Sequence, residues 1–183
     1  DIMTLLLLVD AIRREAIVTL ILDLPYVPYA RQDRVCNEGE SLSIGVFASL
    51  INSCNFDRVF ITDPHSDVTP ALIKNCVIID QVAIFENVKQ DWSNTVIVAP
   101  DAGAMKKAYD FAKRVGAADV LVAEKVRDVK TGKIVSVSLS GVFTSDEEYF
   151  ILDDICDGGR TFLELVTEFP DCVSRIDLAV THG

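Results

Sequence analysis

The stretch from Tyr149 to Phe162, YFILDDICDGGRTF, limits the possible folds more than any other part of the chain. Its opening aromatic and aliphatic residues read as a buried strand. Asp153 and Asp154 follow as an acidic edge, Gly158 and Gly159 make a tight turn, and Thr161 opens the helical pattern FLELVTEF. The same residues outline a phosphate-sugar site. Glycine permits positive φ and close backbone approach to a ligand, while backbone N–H groups and a helix amino terminus attract an anion. Asp153 and Asp154 offer acceptors to vicinal sugar hydroxyls. An ordinary strand-to-helix turn with surface acids is the plainer alternative.

The remaining chain repeats the alternation. Asp1–Arg14 reads as a helix with a nearly continuous apolar face, Ile17–Leu24 as a strand, and Tyr26–Gly39 as a polar loop after Pro25. A helix over Glu40–Asn52 and short strands at Arg58–Thr62 and Val77–Asp80 follow. The hydrophilic stretch Glu86–Asn94, with the lone Trp92, reads as surface and marks a soft boundary. A division into 1–80 and 81–183 is expected, each an α/β unit. Beyond it come a buried strand Thr95–Ala99, a helix Ala104–Val115, a strand Asp119–Ala123, a turn at Lys130–Gly132, an alternating strand Ile134–Leu139 and a last strand Ile176–Thr181. Strands alternating with helices predict two tandem open α/β units with mostly parallel sheets, and such sheets bind ligands at the carboxyl ends of their strands.

With 17 basic and 28 acidic side chains the net charge is −11, which disfavours nucleic acid and anionic membrane as partners. An anionic substrate then needs local Arg, Lys, backbone N–H groups or a bound cation. The five cysteines show no Cys-x-x-Cys pair, so reduced thiols in the cytoplasm are expected. The apolar run Leu5–Val9 is too short to span a bilayer and carries no targeting signature. The chain begins at Asp1 inside a helical pattern and stops at Gly183 after a strand, so an excerpt of a longer protein, truncated at both ends, is expected.

Polar clusters fall at the expected strand ends. Arg31, Gln32, Asp33 and Arg34 put two fixed cations and an amide in one loop, suited to a polyphosphate or equally to solvated ion pairs. Asp63, His65, Ser66 and Asp67 suit a divalent cation, against a structural histidine as the alternative. Asp101, between strand and helix, reads as a helix cap, a second Mg²⁺ ligand, or both. Lys125 and Arg127 alternate on an extended segment, suited to a phosphoryl group in transfer or to a basic hairpin edge. Cys156 reads as a packed residue and His182 as a loop residue.

Taken in order, Tyr29-Ala30-Arg31-Gln32-Asp33-Arg34, Asp63-x-His65-Ser66, Pro100-Asp101-Ala102-Gly103, Lys125-x-Arg127, Asp153-Asp154-x-x-Asp157-Gly158-Gly159-Arg160-Thr161 and Thr181-His182-Gly183 resemble the ribose-phosphate pyrophosphokinases. The resemblance implies paired units of the phosphoribosyltransferase type, a homo-oligomer, and Mg²⁺-dependent transfer of diphosphate from ATP to the C1 hydroxyl of ribose 5-phosphate. By the same resemblance Arg31 and Gln32 contact ATP, His65 and Asp101 associate with metal, and Lys125 and Arg127 are catalytic. Asp153, Asp154, Asp157, Gly158, Gly159, Arg160 and Thr161 would bind ribose 5-phosphate. Gly158 and Arg160 depart from the family pattern, where Thr and Gly are common, implying rearranged phosphate contacts with Arg160 as an added cation. A nucleobase phosphoribosyltransferase would share the acidic loop without needing the Arg31–Arg34 cluster or Lys125 and Arg127. An inactive regulatory homologue is the other alternative, and an assay for ribose-phosphate-dependent AMP separates all three.

Overall fold

A computed structural model of the chain describes residues 1–17, 19–127 and 134–183, the side chains of 125–127 and 134–136 excepted. The chain forms two compact units, Asp1–Asp80 and Gln81–Gly183. In the first, helices α1 (Ile2–Arg13), α2 (Ser43–Ser53) and α3 (Val68–Leu72) alternate with strands β1 (Ile21–Leu24), β2 (Arg58–Thr62) and β3 (Cys76–Ile79). The strands form a parallel sheet in the order β1-β2-β3. Helix α2 turns Ile44, Phe47, Ala48 and Ile51 inward at helical spacing, against Val59 and Ile61 of β2. Helix α1 is capped by the Asp1 side chain, which accepts from Met3 N at 2.9 Å. Its last turn is held by Arg13, which donates to the carbonyls of Cys54 and Asn55 after α2.

Two elements are shorter than their sequence patterns. β1 begins at Ile21 rather than Ile17, because Asp57 engages Leu20 through both side chain and backbone and the ladder to β2 starts only at Ile21 opposite Arg58. α2 begins at Ser43 rather than Glu40, since the Glu40 carboxylate closes a turn onto the N–H groups of Cys36 and Asn37. The five-residue α3 follows the Asp63–Asp67 loop and has too few turns to show periodicity.

The second unit carries α4 (Gln81–Phe85) with a 3-10 turn (Glu86–Val88), then β4 (Thr95–Ala99), α5 (Met105–Val115), β5 (Asp119–Arg127), β6 (Ile134–Leu139), β7 (Glu148–Ile155), α6 (Arg160–Val166) and β8 (Ile176–His182). The sheet runs β6-β5-β4-β7-β8, parallel except for the antiparallel β5/β6 pair. All of β4 is buried, as a central parallel strand covered on both faces requires. Ile97 and Ala99 join a core with Phe111 of α5, and Val96 and Val98 join another with Leu165 of α6. The mostly parallel α/β architecture is the one the alternating pattern predicts.

β5 is longer than its apolar pattern. Glu124, Lys125 and Arg127 lie within it and not in a loop beyond it, because β6 pairs with it as far as Arg127 opposite Ile134, with a bulge between Val126 and Arg127. The expected turn at Lys130–Gly132 lies outside the described residues, as do the side chains of Lys125 and Arg127.

The stretch Glu86–Asn94 lies at the surface as expected, exposed apart from half-buried Lys89 and from Trp92, which is the exception. Trp92 is only 4% exposed, meets Phe111 and Phe150 edge-on at 5.1 and 5.0 Å, and donates its indole N–H to Glu86 O at 3.0 Å. Lys89 completes the arrangement, its ammonium 5.5 Å from the Trp92 ring and paired with Glu148 and Thr95. Polar neighbours hid a buried anchor whose single donor is satisfied locally. Trp92→Ala is expected to cost the protein about 3–5 kcal/mol, the usual range for an excavated core aromatic. Denaturant titration checks this, and the lone Trp92 should emit to the blue of the unfolded chain; native emission matching the unfolded chain would contradict its burial.

Candidate functional site

In the first unit the polar residues lie in the two loops that leave the carboxyl ends of β1 and β2. Arg31 and Gln32 are exposed, with Gln32 N bound to Tyr29 O at 2.9 Å in a turn that takes Tyr29 to φ 65°. His65 is half-buried, and Asp63 is buried with its N–H on Ile79 O at 2.8 Å. The residue that joins these loops is Asp33. Its side chain is 4% exposed and pairs with Arg34 Nε at 3.0 Å. Burial pushes its carboxyl up, but the Ser66 hydroxyl, the Arg34 guanidinium and the charge of His65 outweigh burial and hold it below the ordinary carboxylate range. Asp33 thus brings the Arg31–Arg34 loop against the His65–Ser66 loop.

In the second unit, Asp101 follows β4 and closes the turn before α5, whose N-cap is Ala104 and carries no side-chain cap. Asp101 Oδ1 accepts from Gly103 N at 2.9 Å and Ala104 N at 3.2 Å, just ahead of α5. A side chain at Gly103 would begin 3.1 Å from that oxygen and crowd the turn. Asp153 and Asp154 stand inside β7 and not beyond it. β8 continues alongside, pairing Asp153 with Val180 and Ile155 with His182, which puts His182 at a strand end and not in a loop. Cys156 is half-buried, as a packed residue should be, and its N–H reaches His182 O at 2.8 Å.

After β7 the chain turns through Asp157 and Gly158 to Gly159, whose φ of 71° is the left-handed conformation that favours glycine. Its carbonyl accepts from Phe162 and Leu163 and starts α6, with Thr161 in the first turn. α6 ends at Val166, short of the FLELVTEF pattern, and Phe169 turns back to pack edge-on against Tyr149 at 5.4 Å. Arg160 is committed along the helix surface, with Nε 2.6 Å from Glu164 Oε1 and its side chain 86% exposed.

The electrostatics single out Asp153. Burial, the Asp154 carboxyl and, more weakly, the charge of Asp101 raise it to about 7. One residue absent from the sequence expectations touches this pair: Gln81, the first residue of α4, donates its side-chain amide to Asp153 O at 2.7 Å. No local pattern connects positions so far apart, and no sequence signal marks it.

Among the described residues no three His, Cys, Asp or Glu side chains converge on one metal position. A carboxylate pair with Asp153 raised by its acidic neighbours still suits Mg²⁺, which keeps several waters and takes one or two carboxylates together with substrate phosphates. No described helix is long and apolar enough to cross a membrane.

Comparison with known proteins places the chain. Residues 1–54 match the family model for the N-terminal domain of ribose phosphate pyrophosphokinase. The ribose-phosphate pyrophosphokinase of Corynebacterium efficiens is 29% identical over 183 residues, covering 97% of this chain and 56% of that protein. Those of Hyphomonas neptunium and Rhizobium meliloti are 29% and 30% identical over 100% and 99% of this chain, which spans 60% and 59% of their lengths. The chain therefore spans about half to three fifths of the length of the curated relatives it matches. The crystal structure of phosphoribosylpyrophosphate synthetase from Mycobacterium smegmatis superimposes with a TM-score of 0.84 at 24% identity, covering 100% of this chain and 60% of that one, a likeness of fold. By sequence along nearly its whole length, and by fold, this chain is a relative of the ribose-phosphate pyrophosphokinases.

Proposed function

We propose that the chain carries the diphosphate-transfer machinery of a ribose-phosphate diphosphokinase. The C1 hydroxyl oxygen of ribose 5-phosphate attacks the β-phosphorus of ATP. The bond from that phosphorus to the oxygen bridging it to the α-phosphate breaks, AMP leaves with that oxygen, and the hydroxyl proton passes to solvent. The observation that carries this reading is the similarity to proteins named ribose-phosphate pyrophosphokinase, which runs over nearly the entire chain, taken with the ordered motifs.

In this proposal Arg31 and Gln32 hold ATP, and their exposure at the end of β1 suits a ligand-facing role. Asp153 and Asp154 receive the ribose hydroxyls, and Asp157, Gly158, Gly159 and Thr161 form the turn around the 5-phosphate. Arg160, drawn to Glu164, serves that phosphate less directly than its sequence position suggests. Lys125 and Arg127 neutralise the diphosphoryl group in flight, work that positioning and electrostatics supply without a covalent intermediate. Mg²⁺, when bound, would supply positive charge to the phosphate oxygens; the residues offered to it are His65 in the first unit and, separately, Asp101 and the Asp153–Asp154 pair in the second. Exposed Met3, Leu7, Leu8 and Val46 in the first unit support association with further copies, and five free thiols support a reducing, cytoplasmic setting.

Incubation with ATP, Mg²⁺ and ribose 5-phosphate should yield AMP only when the sugar phosphate is present; AMP that forms without it, or none at all, would refute the proposal. Lys125→Ala should lower the rate by about 10²–10³ with the fold intact by circular dichroism, the usual loss for removing a group that stabilises transition-state charge.

The raised Asp153 generates a pH dependence opposite to that of an ordinary aspartate. Its carboxyl titrates near 3.8 when unfolded and near about 7 in the folded chain. Between those values the folded state holds a proton that the unfolded state has lost. Stability therefore falls as pH rises across that interval, and the deficit is full above it, on the order of a few kcal/mol. Thermal melts from about pH 4 to about pH 8 should show this decline, Asp153→Asn should flatten it, and Mg²⁺ should restore stability on the alkaline side. A slope of the other sign in wild type would contradict the assignment.

A further inference from the structure

At the carboxyl end of β7 the hydrogen-bond ladder runs out on one side. The register pairs Thr95 with Glu148 through Val98 with Ile151, and β4 ends at Ala99. β8 still accompanies β7 on the other side as far as Ile155. At this place the buried side chain of Gln81, a residue 5% exposed, reaches across from α4 and donates Nε2–H to Asp153 O at 2.7 Å.

That carbonyl belongs to the peptide unit joining the two acids. The other end of the unit, Asp154 N–H, donates to Asp153 Oδ1 at 2.9 Å. The plane between Asp153 and Asp154 is therefore gripped at both ends, by Gln81 and by the Asp153 carboxylate. Because the peptide is rigid and planar, holding it sets the Cα–Cβ direction of both residues. Gln81 is itself anchored, since the next residue, Val82, is part of the core with Phe111 and Phe150.

We infer that Gln81 is a positioning residue for the acidic pair, its amide clamping the Asp153–Asp154 peptide from the carbonyl side so that both carboxylates leave the strand in fixed directions. The requirement is for a donor of this length. Glutamate would set an acceptor against a carbonyl beside two further acids, and methionine would fill the space without donating. The consequence for ligand binding rests on the ribose 5-phosphate reading above; the clamp itself does not.

The test uses the full chain with Gln81→Met and, as a control on the ribose reading, Asp154→Asn. In amide NMR spectra Gln81→Met should shift the Asp154 resonance and speed its exchange, leaving Phe150 and Ile151 unmoved. In Mg²⁺ buffer its calorimetric affinity for ribose 5-phosphate should fall about ten-fold, the scale of one buried hydrogen bond, with affinity for inorganic phosphate unchanged. Equal losses for both probes would mean a merely structural role and overturn the inference. An unmoved Asp154 amide overturns it whatever the ligand does. If wild type ignores ribose 5-phosphate, or Asp154→Asn binds it normally, the ribose reading fails while the NMR result still judges the clamp. Should Gln81→Met not fold, Gln81→Asn, the same donor one methylene short, must show the same displacement of the Asp154 amide or the inference falls.

Discussion

β4 stops at Ala99 because Pro100 cannot continue a parallel ladder, whereas β7, held by β8 on its other side, runs on to Ile155. From that mismatch in length come the main features of the second unit's carboxyl edge. Asp153 and Asp154 gain the regular backbone of a strand yet stand beyond the reach of β4, beside the loop in which Asp101 turns the chain into α5. The Gly159 turn then begins α6 from a strand end whose direction is already fixed. Residues on regular structure are held more tightly than residues on a free loop, which matters where two carboxylates must keep their orientation while charged.

The first unit reaches a similar end by different means. Its loops after β1 and β2 are joined by a buried carboxylate, Asp33, paired with the exposed Arg34. Asp33 is removed from water but receives Arg34, Ser66 and the nearby His65, so its charge is favoured in spite of burial. Losing one partner of such a group costs more than the pair itself contributes, since the remaining charge is left desolvated. The two loops are thereby coupled: a change at Ser66 is felt at Arg34 through a carboxylate that contacts both.

The central strands were legible in sequence because each is a short apolar run, buried throughout in β4 and alternately buried in β2. β2 and β4 fall at their expected limits, and the polar clusters fall at the strand ends that a parallel sheet makes useful. Legibility failed where a neighbour supplied what composition did not. β5 extends through Glu124, Lys125 and Arg127 because β6 pairs with it, and β7 extends through its acids because β8 does. Trp92 lies among polar residues that cover it, so only the three-dimensional contact with Phe111 and Phe150 shows its burial. Gln81 and Asp33 act through partners distant in sequence or in another loop, and their residue types alone carry no such information.

β7 carries an acid near each end, and the two experience opposite fields. Glu148, at the amino end, is hydrogen-bonded by Lys89 and approached by Arg175, and is held below the ordinary range despite some burial. Asp153, at the carboxyl end, is pushed up by burial and by the carboxyls of Asp154 and Asp101. The amino edge of the sheet is thus an assembly of opposite charges, joined by Asp177 beside Arg175, whose strength is expressed in the folded chain as it stands. At the carboxyl edge like charges are gathered at an energetic cost, which the Mg²⁺ of the proposed function would relieve. A strand so arranged separates the two demands on it: the end that secures the sheet is neutralised by the protein's own side chains, and the end that meets ligand in the proposed function leaves room for charge to be supplied from outside.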